Sequence, residues 1–158
     1  MGIVVQRNIG ALGDLLRLTD QASATAAGAG DATSVTGQTI DRANIAGGVL
    51  PLSALMAVLF SATLASGKTL SVAYAVQDSA DGTNFSDYQT GAATVAATGP
   101  SGGGTVRGQY EIPVNLTSAR RYVRLNFQPD LSATGTDTAV AIGAGFFAGF
   151  DRLAAPQG

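Results

Sequence analysis

The sequence contains no cysteine, no histidine and no tryptophan, and its only lysine is Lys68. Without cysteine, neither disulfides nor thiolate metal sites can hold the chain together. Without histidine it lacks the usual general base near neutral pH and the commonest zinc ligand, which argues against an enzyme. Glu111 is the sole glutamate, and no serine has the sequence context of a nucleophile elbow. Gly102–Gly104 are followed by neither a P-loop lysine nor a helical pattern. No catalytic group, metal or cofactor is therefore expected.

Charge is also scarce. Charged residues make up 13% of the 158 residues, about half the usual share, and the formal net charge is −2. A nucleic-acid binder would carry a basic face, and none stands out. A chain this thinly charged either keeps itself in solution with Ser, Thr, Gly and Ala or works with much of its surface covered by neighbours; the second reading is preferred here. Residues 43–67 are uncharged for long enough to span a bilayer, but Pro51, Ser53, Ser61 and Thr63 interrupt them, so no membrane span is expected. No secretory signal is expected either, because Asp14 breaks the early apolar run.

What is present is a change of texture near residue 45. In residues 1–45, Ile3, Ile9, Leu12, Leu15, Leu16 and Leu18 suit a short helix or an arm lying on a partner, and the small polar residues that follow read as an extended connector. The same segment could equally be a loosely held terminus. Over residues 46–150 period two takes over: Leu52, Ala54, Met56, Val58, Phe60, Ala62 and Leu64 share one strand face. Leu70, Val72, Tyr74 and Val76 alternate in the next strand, and Ser66–Lys68 between them predicts a hairpin. Thr98–Gly108, dominated by glycine, predicts an irregular excursion. Pro113 predicts an edge position or strand end. Val123, Leu125 and Phe127 should point inward, and residues 136–150 should close the domain, leaving 151–158 as a tail. Strands joined by turns, with no convincing long helix, point to an antiparallel sandwich or barrel.

The stretch Asp78, Asp81, Asn84, Asp87 has the oxygen-rich look of a calcium loop, but ligands at alternate positions and a closing bidentate glutamate are missing. Asp81-Gly82 between alternating segments reads as a turn, with Gly82 at positive φ and Asp or Asn side chains capping it. Among the clustered arginines, Arg120 reads as a solvated strand residue, whereas Arg121 and Arg124 are candidates for pairing with a neighbouring subunit.

Five segments then follow in a familiar order: DLLRLTDQASATA (14–26), GQTIDRANI (37–45), YAVQDSADGTNFSDY (74–88), ARRYVRLNF (119–127), and AVAIGAGFF (139–147) leading to DRLAAP. This order resembles the decoration, cement or head auxiliary proteins of tailed bacteriophages and gene-transfer-agent-like particles. The resemblance implies an all-β fold, an antiparallel, jelly-roll-like β-sandwich with an extended N-terminal arm. It also implies a homotrimer on the capsid surface of a virion, assembled in the bacterial cytoplasm, bridging major capsid protein subunits without nucleic acid or membrane. DSADGTNF and RYVRL are also similar to segments of carbohydrate-binding sandwiches of the discoidin kind. A host-attachment module that binds sugar, or a tail or head–tail connector component, are the alternative expectations.

Overall fold

The computed structural model describes residues 13–45, 50–133 and 135–148. They form nine strands: β1 (Gly13–Arg17), β2 (Ala22–Thr25), β3 (Ile40–Asp41), β4 (Ser53–Leu64), β5 (Thr69–Ser79), β6 (Ser86–Thr98), β7 (Gly104–Asn115), β8 (Tyr122–Leu131) and β9 (Thr138–Ala148). One sheet has the order β1-β9-β4-β7, with β2 also on β9, and the other runs β3-β8-β5-β6. All pairings are antiparallel. Among the described residues no helix is long and apolar enough to cross a membrane.

β1 and β2 lie end to end along one edge of β9 and act as one interrupted strand. Arg17 opposes Ala144 and Ala22 opposes Ala141, so residues 18–21 bulge out over only residues 142–143. The bulge is anchored: Leu18 N donates to Gly143 O at 2.7 Å, and Gly143 N donates to Thr19 Oγ1 at 2.8 Å. Gly143 and Gly145 supply the space, since a Cβ on either would meet the Thr19 or Leu18 side chain within 3 Å. With β1 and β2 counted together, the chain changes sheet at every connection except the β5–β6 hairpin. That is the jelly-roll connectivity, and the chain is an all-β sandwich.

The inner faces follow the alternation of the sequence. Ala54, Met56, Val58, Phe60, Ala62 and Leu64 from β4 meet Leu70, Val72 and Val76 from β5, with Val123, Leu125 and Phe127 from β8 and Phe147 from β9. Pro113 sits near the end of β7, an edge strand, where its missing N–H breaks no ladder.

Three expectations change. The segment expected as an arm and connector contributes β1, β2 and β3 to the two sheets; its apolar residues are placed by pairing with β9 and β8 rather than by a helix. The Ser66–Lys68 turn joins strands of opposite sheets, not a hairpin, because β4 and β5 each have one apolar face and bury them against each other. The glycine-rich excursion is only a tight turn: β6 runs to Thr98 and β7 starts at Gly104. Positive φ at Gly102, Gly103 and Gly104 lets the chain reverse there, and Gly108 lies within β7 opposite Phe60.

Candidate interaction surface

The outward residues of the two sheets differ in chemistry. On the sheet containing β9, the odd residues of β1, β4 and β7 and the even residues of β9 face away from the core. Successive rows read Leu15–Phe146–Leu55–Pro113, then Arg17–Ala144–Ala57–Glu111, then Ile142–Leu59–Gln109. Further along come Ser23–Val140–Ser61–Arg107 and finally Thr25–Thr138–Thr63–Thr105. Leu15 is 75% exposed, and Leu55, Leu59 and Val140 are exposed on the same face. A shallow apolar depression lined by Leu55, Pro113 and Phe146 opens at one end of this face. A contiguous apolar strip of this kind on a sheet face is a mark of an interaction surface.

The opposite sheet is mainly polar outside along β5 and β8, although Val95 of β6 is exposed, and several of its polar groups bond to one another. Arg124 Nε and Asn126 Nδ2 both donate to Gln77 Oε1, at 2.8 and 3.0 Å, while Gln77 Nε2 donates to Asp87 Oδ1 at 2.7 Å. Gly37 N donates to Asn126 Oδ1, and Gln128 donates to the Ala32 carbonyl. This internal network leaves a weak basis for a sugar site.

The aspartate-rich stretch forms the β5–β6 turn. Asp81 Oδ1 accepts from Thr83 N, Asn84 N and Ser79 Oγ at 2.8–2.9 Å, and Oδ2 accepts from Asn84 Nδ2. Gly82 has φ +75°. Asp78 lies elsewhere, almost buried, where it takes Arg120 N and the Arg120 guanidinium; Asp87 faces Gln77. The four residues therefore do not converge. Among the described residues, no group of three or more acidic side chains could hold a metal ion. We expect Asp81→Ala to lower the Tm because it frees two turn amides, while calcium or a chelator leaves the wild-type Tm unchanged. A calcium-dependent rise in Tm would contradict this assignment.

The arginines bind within the chain. Arg120, expected as a solvated residue, holds Asp78 at 2.5 Å. Arg121 grips Asp41 through Nε and Nη2 at 2.9 and 2.7 Å, and Arg124 stacks over Phe85 at 4.0 Å from the ring centroid. Among the apolar candidates, Leu15 faces outward. Leu16 packs against the core, and Leu18, expected on an interacting arm, is fully buried beneath the bulge and cannot touch a partner. Ile3, Ile9 and Leu12 lie outside the described residues.

Hydrogen bonds from Arg120 and Arg121 hold the Asp78 and Asp41 carboxyls below the ordinary carboxylate value, and backbone amides do the same for Asp81. A folded value below the unfolded one adds stability above the unfolded pKa, and that stability is lost as pH falls through the folded value. With no imidazole or thiol in the chain, the Tm should be flat between about pH 5.5 and 7 and fall below about pH 4. A thermal-melt series checks this, and a Tm maximum in acid would contradict it.

Arg42 escaped the sequence reading. It follows β3 in a short 3-10 turn capped by Asp41, and its side chain is completely buried. Nη1 donates to the Ala119 and Arg120 carbonyls, and Nη2 donates to Pro51 O at 2.6 Å and Leu116 O at 2.8 Å. One guanidinium thus ties the entry to β4 to the β7–β8 connection. The only available signal was a charged residue inside a small-residue segment.

No protein-family model matches the chain, and no curated protein is significantly similar to it.

Proposed function

We propose that this chain is a structural subunit of a tailed-phage-type virion, decorating and cementing the head by contact area rather than by chemistry. The observation that carries the proposal is the apolar outer face of the β9 sheet, on a chain with few charges and neither imidazole nor thiol. Such a face is costly in free solution and useful where a neighbour covers it. The jelly roll suits the role without establishing it, because the fold serves many functions. The partners in this reading are the major capsid protein and further copies of the chain, on the virion surface. The internally bonded polar sheet is what favours this over sugar binding.

Copy number in purified particles tests the proposal. Hundreds of copies per head are expected, whereas a handful would place the chain at a vertex or tail instead. Deleting residues 1–12, which spares β1 and Leu18, should lower occupancy after heating if that segment contacts the shell; unchanged occupancy would remove it from the interface.

A further inference from the structure

The rows of the outer β9 sheet face carry a chemical symmetry that selects their occupant. Arg17 stands at one edge of its row and Glu111 at the other, with only the methyl groups of Ala144 and Ala57 between them. The adjoining rows are apolar across their middle strands: Phe146 beside Leu55, and Ile142 beside Leu59. We infer that this face pairs with the same face of a second copy, about a two-fold axis parallel to the strands and lying between β9 and β4. The pairing rests on the adhesive role proposed above and names a second copy, rather than the major capsid protein, as what covers this face.

Such an axis exchanges β1 with β7 and β9 with β4 while laying each row on itself. Arg17 of one copy then meets Glu111 of the other, twice. Phe146 meets Leu55, Ile142 meets Leu59, and the alanines meet each other, which lets the sheets approach closely. An axis running across the strands would instead press the apolar rows onto the Thr25–Thr138–Thr63–Thr105 row. A three-fold does not pack a face against itself, because self-complementary contact belongs to two-fold symmetry. Both charges are available. Arg17 pairs with Asp20 in an exposed contact of little value, and Glu111 has no ion pair among the described residues.

The area is sufficient. Four strand positions about 4.8 Å apart and about eleven residues long at about 3.4 Å each give a face on the order of 700 Å². Two such faces bury roughly 1,400 Å², within the range of specific interfaces. Aligned packing of twisted sheets about 10 Å apart accommodates side chains of this size.

Sedimentation equilibrium of the purified full chain tests the pairing. Twice the chain mass is expected, falling to the single-chain mass on dilution. Leu59→Glu should give monomers with an unchanged far-ultraviolet circular dichroism spectrum. Arg17→Glu or Glu111→Arg alone should weaken association about tenfold or more, because each places like charges together twice. The two combined should return to within about threefold of wild type. A single-chain mass at all concentrations, a three-chain mass, or failure of the combined variant to recover would each overturn the two-fold. Particle copy number is read separately. A monomer present in hundreds of copies sinks only the pairing, and a dimer present in a few copies sinks only the shell role.

Discussion

Arg42→Ala is expected to destabilise the fold by about 3–5 kcal/mol, since each buried carbonyl left without a donor costs about 1–3 kcal/mol. Four carbonyls lose a charged donor at once, and of these Leu116 O keeps a second partner in Ala119 N. Burial lowers the Arg42 guanidinium below its ordinary pKa, with the negative charge of Asp78 among the effects opposing this. It remains a cation because arginine starts so high. Arg42→Met keeps much of the side-chain volume and should fare nearly as badly, because the orphaned carbonyls, not a cavity, dominate the loss. Arg42→Lys cannot present two forked nitrogens and should recover only part of it. At this chain length the alanine loss corresponds to a fall in Tm of roughly 10–15 °C. Urea melts check the figure, and a loss under about 1 kcal/mol would show that the clamp is dispensable.

Phe146 and Phe147 provide the second large effect, as a contrast between neighbours. The strand period sends Phe147 into the core, fully buried, and Phe146 to the outer face opposite Leu55 and Leu15. Phe147→Ala should cost about 3–5 kcal/mol through lost contacts and a cavity among the inner residues of β9 and β4. Phe146→Ala should change the stability of the single chain by less than about 1 kcal/mol. It should instead weaken self-association, because its ring is lost from the paired face. Denaturant melts of dilute protein and sedimentation of concentrated protein separate the two effects. Equal losses in the melts would mean that the register of β9 is misassigned.

These two cases also show what the sequence made legible. Strand alternation located β4, β5 and β8 and the inward side of each, because period two is a local property. The Asp-Gly turn was equally local. Sheet membership was not: the alternation of β4 and β5 is the same whether they pair side by side or face each other across a core. The role of residues 13–45 was hidden for a related reason, since short strands on the edge of β9 and β8 are specified by partners over 75 residues away. The outer apolar face was not recognised from the sequence. Leu55, Ala57 and Leu59 alternate with the inner set just as clearly, but only the registers with β9 and β7 bring them beside Ile142, Phe146 and Pro113. Arg42 was beyond reach, because no local pattern announces a side chain three of whose four acceptors lie in the β7–β8 connection more than 70 residues away.

The outer face of the β9 sheet is covered by a neighbour where the protein works, and this can be measured directly. Because the chain has no cysteine, a single thiol introduced by Leu59→Cys reports on that face alone, and Asp130→Cys reports on the opposite sheet. The measurement is the rate of thiol labelling in purified particles compared with the dilute free chain. The Leu59→Cys thiol is predicted to be strongly protected in the particle while the Asp130→Cys thiol reacts comparably in both. Equal, rapid labelling of the Leu59→Cys thiol in particles and in free protein would contradict the account.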